Sequence, residues 1–226
     1  LMKIAAFIPA RKNSKRILNK NRLKLGKNYC LQMVINNLQR AGIIDDIFIS
    51  TDDTYLKDKI SGAIFLDRNN MFVDDNSTVI ELLNYHQNKE LLDYDLIVLC
   101  YIHSICIDGA TYKKAISSFK GSDKNRLISV SNIATPLEWL LKEEGARIMP
   151  THPGAEIIRS QDLTKAFYNT GQFYMYKSAW YDKKCLEDTD YYHLKRYQGV
   201  DLDEPEDLEL LESFYRFNKS INKNLY

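Results

Sequence analysis

Short apolar runs rich in β-branched residues recur along the chain and predict strands. The runs KIAAFIPA, DIFIST, AIFLD and RLISVSNI are bounded by polar or turn-forming residues. The run DLIVLCYI has no polar alternation, which is typical of a strand that is buried on both faces. These runs predict a sheet that lies inside the protein.

Segments with apolar residues at helical spacing separate the predicted strands. Helices are predicted over NYCLQMVINNLQRAG, ending at Gly42, over DTYLKDKIS, over NSTVIELLNYHQNKELL, capped by Asn76 or Ser77, and over GATYKKAISSFKG. Strands that alternate with helices predict an α/β fold. We expect a mostly parallel, mixed sheet with helices on both faces.

The alternation of strand and helix stops after residue 133. PLEWLLKEEGARIMP predicts a hairpin turning at Glu144-Gly145, and TGQFYMYKSAWY predicts a strand that rejoins the sheet. A last helix is predicted over EPEDLELLESFYRFNKS, with Pro205 at its first position. We therefore expect a single domain over residues 1–226, with an excursion from the main sheet over residues 134–168.

Charge is balanced overall but unevenly placed. The 31 basic and 30 acidic residues nearly cancel, so no bulk field favours nucleic acid or an anionic membrane as a partner. Residues 1–44 carry ten Lys or Arg and no acidic residue, whereas residues 201–212 carry seven acidic residues and no basic one. The two segments predict complementary surfaces within one molecule.

The four cysteines are widely separated, which argues against a zinc site and favours a reduced, cytoplasmic protein. No segment reaches the roughly 20 apolar residues that a membrane span needs. Tyrosine-rich segments such as DYYHLKRY could stack on RNA bases, but tyrosine is equally common in half-buried strands. We expect neither a membrane nor a nucleic acid as partner.

A basic loop follows the first predicted strand. Ligands of open α/β sheets bind beyond the carboxyl ends of the strands, where this loop begins. It is longer than a usual strand–helix turn and lacks the glycines of a Walker loop. Four of its side chains could neutralise a triphosphate: Arg11, Lys15, Arg16 and Lys20. A solvated run of surface charge is the alternative interpretation.

The motif IPARKNSKRILNKN resembles the amino-terminal motif of the CMP-sugar synthetases, cytidylyltransferases that activate sialic acids and related sugars. The matching pairs are Ala10-Arg11, Ser14-Lys15 and Lys20-Asn21. The resemblance continues through STDD, DDNST and VDLDEPEDLELLE and covers nearly the whole chain. IIRSQDL followed by GQFYMY is most similar to the branch that acts on pseudaminic acid.

The resemblance implies a Rossmann-like nucleotidyltransferase fold and a reaction between CTP and an acidic nine-carbon sugar. The anomeric hydroxyl of the sugar would attack the α-phosphorus and release pyrophosphate. Such a transfer depends on positioning and on neutralisation of phosphate charge. The residues that the resemblance places at the nucleotide are Ala10, Arg11, Ser14, Lys15, Arg16, Lys20, Asn21, Arg68 and Ser77.

The acidic segment supplies the expected metal site. Asp201 and Asp203 alternate along a predicted strand end, so both carboxylates are expected on one side. The resemblance implies that this pair holds Mg²⁺ beside the triphosphate, with Asp203 also able to cap the following helix. Asp53 could assist the metal or only begin a helix, and we prefer the second interpretation.

The predicted sugar-binding site is supported by fewer sequence features than the nucleotide site. Arg159 is suited to pair with the sugar carboxylate, and Gln161, Gln172 and Tyr174 could bind its acylamino and hydroxyl groups. GQFYMY is equally interpretable as a core strand. The resemblance implies that residues 134–168 support a homodimer.

One element departs from the resembled family. YIHSIC occupies residues 101–106, where the family carries a Thr/Ala/Ser-Pro element, so His103 replaces a small hydroxyl residue. That element borders the nucleotide pocket, so the change could alter the shape of the pocket or lower activity. The same reaction on sialic, legionaminic or deoxyoctulosonic acid is the nearest alternative, and residues around Arg159 and Gln172 would decide between these sugars. A nucleotide-binding protein that has lost catalysis is the alternative of a different class.

Overall fold

A computed structural model describes residues 2–12, 14, 16–68, 70–73, 77–177 and 188–223, without the side chains of residues 70, 218, 219 and 221–223. The strands are β1 Ile4–Pro9, β2 Lys24–Leu25, β3 Asn28–Tyr29, β4 Asp46–Thr51, β5 Ile64–Asp67, β6 Leu96–Cys100, β7 Arg126–Asn132, β8 Leu141–Glu144, β9 Arg147–Pro150, β10 Phe167–Lys177 and β11 Thr189–His193. The helices are α1 Cys30–Arg40, α2 Thr54–Lys57, α3 Val79–Gln87, α4 Gly109–Lys120 and α5 Pro205–Lys223.

Seven strands form the central sheet in the order β11-β7-β10-β6-β1-β4-β5. β1 pairs in parallel with β4 and β6, and β7 pairs in parallel with β11. β10 runs antiparallel to both of its neighbours, β6 and β7. The predicted mixed and mostly parallel sheet is confirmed, and the carboxyl ends of β1, β4, β5, β6 and β7 lie at the same edge.

Alternate side chains of β1 enter two separate cores. Ile4 and Ile8 pack on the face covered by α1, α4 and α5, whereas Phe7 packs on the face that α3 covers. Because successive side chains of a strand point to opposite faces, an uninterrupted apolar run is what a doubly covered strand requires. The predicted helices on both faces are confirmed.

β10 contains a bulge where it passes β7. Asn169 pairs with Val130 and Tyr174 pairs with Ile128, so five residues of β10 advance while β7 advances by two. Gly171 lies in the bulge with φ of 66°. Because β10 is antiparallel, its bulged beginning lies beside the carboxyl end of β6. The bulge therefore faces the edge at which the basic loop leaves β1.

Several boundaries differ from the predicted ones. The cap of α3 is Thr78, whose hydroxyl accepts from the Glu81 amide while the Glu81 carboxylate accepts from the Thr78 amide. Ser77 is therefore not the cap, and Asn76 lies outside the described residues. The short β2–β3 hairpin and the edge strand β11 were not predicted. In contrast, the predicted turn at Glu144-Gly145 is confirmed.

Within the described ranges, no helix combines the length and the apolar character that crossing a membrane requires.

Candidate functional site

A cavity of about 320 Å³ opens at the carboxyl edge of the sheet, between the basic loop, the segment before α3 and the segment after β6. It gathers seven of the predicted nucleotide-site residues. Its lining consists of Pro9, Arg11, Ser14, Arg16, Lys20, Asn21, Arg68, Ser77, Val79, Tyr101, Ile102 and His103. Lys15, which was also predicted, lies outside the described residues.

Hydrogen bonds from β4 and from the loop itself hold the basic loop in place. The Ala10 amide donates to the Ser50 carbonyl at 2.9 Å, and the Thr51 hydroxyl donates to the Ala10 carbonyl at 2.5 Å. The Asn21 side chain is buried and donates to the Arg11 carbonyl at 2.8 Å. Ala10 does not line the cavity in this structure, so its evident contribution is to fix where the loop begins.

The end of the loop is held by a bidentate ion pair. The Arg22 guanidinium donates from Nε and Nη2 to the two oxygens of Asp53, each at 2.7 Å. The Asp53 side chain is only 2% exposed and also accepts from the Tyr55 amide, so it caps α2. The preferred interpretation of Asp53 as a helix start agrees with this geometry.

Replacing Arg22 with methionine should lower the melting temperature at pH 7 by about 5–10 °C, because the Asp53 carboxylate would stay buried without its cation. The hydrogen bonds from Arg22 hold the pKa of Asp53 below its usual value. The stability that this pair adds is therefore present above the unfolded pKa of about 3.9 and is lost as the pH falls through the lower folded pKa. Thermal melts from pH 7 to pH 3 should show the two proteins converging at the acid end.

A matched control for this prediction is Lys57→Met, which breaks the exposed Lys57–Asp67 pair. Exposed pairs contribute little, so this variant should melt within about 2 °C of the wild type. Equal melting temperatures of wild type and Arg22→Met at pH 7 would contradict the prediction.

The acidic segment contacts the basic loop directly beside the cavity, although neither Asp201 nor Asp203 is among the residues that line it. The Arg16 guanidinium lies 2.7 Å from Asp203 Oδ2, and Lys20 Nζ lies 3.6 Å from Asp203 Oδ1. The Asp203 carboxylate pairs with the loop, while the Asp207 carboxylate in the first turn of α5 accepts from the Asp203 and Glu204 amides. The Asp203 side chain therefore faces the loop and not the helix end.

The predicted strand end over residues 200–203 is not a strand in the structure. The side chains nevertheless alternate in direction, because Leu202 is buried in the main core while Asp201 and Asp203 point away from it. The fully buried Leu202 side chain is what turns both flanking carboxylates outward.

Asp201 lies beside a buried histidine. Its Oδ1 is 3.4 Å from His103 Nδ1, and the His103 side chain is 7% exposed. His103 Nε2 donates to the Gly171 carbonyl at 3.1 Å, so the β10 bulge holds the ring. Burial lowers the pKa of His103, although the Asp201 charge acts in the opposite direction. The neutral imidazole is therefore the favoured form.

Two further cavity residues come from the segment between β5 and α3. Arg68 is buried, its Nε donates to the Phe72 carbonyl at 2.6 Å, and burial lowers its pKa. The Ser77 hydroxyl donates to the Met71 carbonyl at 2.7 Å. Arg68 adds a fourth positively charged residue to a lining that also contains Arg11, Arg16 and Lys20.

The residues predicted for the sugar are not gathered in the same way. Gln172 is fully buried, and its Nε2 donates to the Val200 carbonyl at 2.8 Å. We expected its side chain in the pocket, but the bulge turns it beneath the acidic segment, where it cannot touch a ligand directly in this conformation. Tyr174 does approach the site, because its ring packs edge-on against that of Tyr101.

Arg159 and Gln161 lie in the excursion. The Arg159 guanidinium is largely exposed and pairs with Asp162 at 2.8 Å. Gln161 lines a separate small cleft with residues of 132–136 and 160–167. Neither residue belongs to the described lining of the nucleotide cavity, so their contact with a sugar remains a prediction.

Two aromatic cavity residues were not predicted as site residues. The Tyr101 and His103 rings stack with a centroid distance of 5.5 Å and an interplanar angle of 10°. Both directly follow β6, at the edge where α/β proteins bind ligands. Their position after the most strand-like run of the sequence was the signal that could have identified them.

Ligands of a mostly parallel α/β sheet bind at its carboxyl edge, and the cationic wall found there suits a nucleotide with several phosphates. The sequence profile of the Cytidylyltransferase family matches residues 5–223. The chain belongs to this family, and it is an enzyme of the cytidylyltransferase class.

Proteins with similar sequences include a pseudaminic acid cytidylyltransferase and a CMP-N,N'-diacetyllegionaminic acid synthase. The chain is 27% identical over 229 residues to pseudaminic acid cytidylyltransferase of Campylobacter jejuni strain 81-176, in an alignment that covers 96% of this chain and 98% of that protein. It is 26% identical over 239 residues to CMP-N,N'-diacetyllegionaminic acid synthase of Legionella pneumophila, with the same coverage. Both alignments span nearly the full length of both proteins.

Solved structures share the fold at low sequence identity. A CMP-2-keto-3-deoxy-manno-octonic acid synthetase complexed with CTP superposes with a TM-score of 0.69 and 13% identity, covering 95% of this chain and 98% of that one. A 4-diphosphocytidyl-2C-methyl-D-erythritol synthase from Anaerococcus prevotii superposes with a TM-score of 0.66 and 13% identity, covering 95% and 96%. The fold expected from the sequence is confirmed.

Proposed function

We propose that this cytidylyltransferase joins CTP to a nonulosonic acid, with pseudaminic acid as the favoured substrate, and releases pyrophosphate. The anomeric hydroxyl of the sugar attacks the α-phosphorus and loses its proton to water, the bond from that phosphorus to the bridging oxygen breaks, and pyrophosphate leaves with the electron pair. The product is the CMP-sugar, an activated donor for glycan synthesis.

The observation that carries the proposal is the contact of Asp203 with Arg16 and Lys20. It joins residues that are 183 and 187 positions apart in sequence, and Arg11 and Arg68 line the same cavity. A cavity that combines concentrated positive charge with carboxylates at its edge fits a triphosphate and a divalent cation together.

The cavity residues would act by position and charge. Arg11, Lys20 and Arg68 would neutralise the triphosphate and hold the α-phosphorus in line with the attacking hydroxyl. Ser14, Ser77 and Asn21 supply short polar groups at the same wall. The flat rings of Tyr101 and His103 would close the cavity on the β6 side and exclude water.

Mg²⁺ is the proposed cofactor, with Asp201 and Asp203 as its protein ligands. The Asp201 side chain is 51% exposed beside the cavity, and its Oδ1 lies 3.4 Å from His103 Nδ1, a buried nitrogen without a hydrogen bond among the described residues, which supports the proposal of a cation there. When bound, the ion would withdraw charge from the α- and β-phosphates and stabilise the leaving pyrophosphate. No three acidic, histidine or cysteine side chains converge among the described residues, so water and phosphate would complete its coordination.

The choice of pseudaminic acid rests on the names of the relatives and on IIRSQDL and GQFYMY. Tyr174 is the one predicted sugar residue that adjoins the cavity, through Tyr101. Arg159 is exposed and would have to reach the sugar from a second subunit or after a movement of the excursion.

The reaction is tested by measuring pyrophosphate release from CTP and Mg²⁺ with pseudaminic, legionaminic, N-acetylneuraminic and deoxyoctulosonic acids. We expect the highest kcat/KM with pseudaminic acid. A higher value with another acid would overturn the substrate assignment and keep the reaction. CTP binding without release for any of the four sugars would favour the alternative of a protein that has lost catalysis.

We also propose that the excursion forms a homodimer interface. Every residue of β8 and β9 is exposed, and so are the large apolar side chains Leu141, Ile148 and Ile157. Exposed apolar surface of this kind marks an interaction site. A second copy of the chain is the partner that the family resemblance implies for this surface.

Light scattering at micromolar concentration should give twice the subunit mass of 26.4 kDa. Ile148→Asp should shift the protein to the monomer, because a buried, unpaired carboxylate would oppose association. Leu92→Asp is the matched control, since Leu92 is 66% exposed but lies outside the excursion. A monomeric wild type would contradict the proposal.

A further inference from the structure

One nitrogen of the site has no hydrogen-bond partner although it is buried. His103 Nδ1 faces Asp201 at 3.4 Å and accepts or donates no hydrogen bond among the described residues. Buried polar atoms are almost always paired, so an unpaired one beside a carboxylate must have a physical cause.

The other ring nitrogen establishes the tautomer. His103 Nε2 lies 3.1 Å from the Gly171 carbonyl, which can only accept, so the proton is on Nε2. In the neutral ring, Nδ1 therefore presents a lone pair to a carboxylate oxygen. Two acceptors that face each other at this distance repel unless a proton or a metal cation lies between them, and the measurement below distinguishes the two.

The arrangement matches that of a metal-binding histidine. Such a histidine usually donates its second N–H to a carboxylate or a backbone carbonyl, which sets the tautomer and orients the ring. The bond to Gly171 fills this role, and Tyr101 stacks on the ring to hold its plane. Gly171 is positioned by the bulge, with its φ in the left-handed region.

The distance between the donor atoms is also suitable. Two metal–ligand bonds of about 2.1 Å place their donor atoms about 3.4 Å apart at a tetrahedral angle and about 3.0 Å apart at an octahedral one. Nδ1 and Oδ1 are 3.4 Å apart, so one ion could bind both after at most a small movement of the two side chains.

We infer that His103 Nδ1 and Asp201 Oδ1 together bind the catalytic cation and make the site favour a first-row transition ion, such as Mn²⁺, over Mg²⁺. The inference rests on the proposed function in that it uses the same cation position. An imidazole nitrogen binds transition ions more strongly than Mg²⁺, which prefers oxygen ligands. YIHSIC would then be a change of metal preference at the place where the resembled family has a small hydroxyl residue.

The test uses Mn²⁺ alone, and then Mn²⁺ with CTP, bound to the full chain. Electron spin-echo spectroscopy should detect a directly coordinated ¹⁴N in the wild type. Labelling with ¹⁵N-histidine should replace the ¹⁴N signal with a ¹⁵N signal. His103→Thr should lose the signal and lower the ratio of Mn²⁺ to Mg²⁺ affinity at least tenfold in titration calorimetry. His193→Thr, which removes a histidine at the far edge of the sheet, should change neither.

Absence of a coordinated nitrogen in the labelled wild type would overturn the inference, and so would a signal that persists in His103→Thr. These readouts need no turnover, so they are separate from the sugar assay. Pyrophosphate release with Mg²⁺ and no nitrogen signal would keep the proposed function alone. A nitrogen signal without release for any sugar would keep the metal site alone.

Discussion

Asp201→Asn should reduce the rate of pyrophosphate release by about 10³-fold, with a range of 10²–10⁴. The amide keeps the shape of the side chain but removes the charge that would hold a divalent cation. Leu202 stays in the core in this variant, so the direction of the backbone at residues 201–203 should be preserved. The measurement is kcat under saturating CTP, Mg²⁺ and sugar, together with CTP affinity in the absence of metal.

Glu204→Gln is the matched control for Asp201→Asn. It removes the same charge from an exposed side chain only three residues away, next to the Asp203 carboxylate. We expect less than a threefold change in kcat for this control. If Asp201→Asn kept more than a tenth of the wild-type kcat, Asp201 would not be a metal ligand. Metal-free CTP affinity within threefold of wild type would show that the nucleotide site survives the substitution.

Arg11→Met should lower kcat/KM for CTP by about 10²–10³-fold. Arg11 lines the cavity directly after β1, and its carbonyl is held by Asn21, so the loop should keep its path when the side chain changes. Methionine retains the length and apolar stem of arginine but removes the charge and the hydrogen bonds to phosphate. Steady-state kinetics with varied CTP at fixed sugar gives the required ratio.

Lys12→Met tests whether position, and not the general charge of the loop, matters. Lys12 is exposed, does not line the cavity in the structure, and contacts Asp52 through its backbone amide. The same loss of one positive charge should change kcat/KM by less than about threefold, chiefly through long-range attraction. Equal losses in both variants would show that the loop acts only as a diffuse positive field.

Local signals predicted most of the fold. The unbroken apolar run of β6 and the alternation of strand with helix are properties of neighbouring residues, so the sequence displays them directly. The cap of α3 was readable as Thr78 followed by Glu81, but Asn76 and Ser77 offered competing oxygens. β11 was missed because it is an edge strand held by β7 alone, and its tyrosines are also typical of a surface that stacks on bases.

The parts of the candidate site that follow from the direction of the strands were predictable from the sequence. The parts that depend on side-chain packing were less so. Both charged segments were expected at one cleft, and the Arg16–Asp203 contact agrees with that expectation. The direction of the Gln172 side chain depends on the bulge in β10. The bulge arises from the register of β10 with β7, which no local sequence pattern predicts. Arg159 is exposed, so its contact with a sugar cannot be predicted from the packing of a single chain.

The position of β10 in the sheet has a consequence for synthesis on the ribosome. Four neighbouring strands, β6, β1, β4 and β5, can pair once residue 100 has emerged, whereas β7 has no place in the sheet until β10 arrives between it and β6. Pairing over such sequence separations is slow, and β7 must wait with an unpaired edge. Gly171, which orients His103, and the acidic segment that follows are among the last parts to leave the ribosome. A nascent chain therefore acquires the cationic wall of its cleft early and the acidic side only at the end of translation.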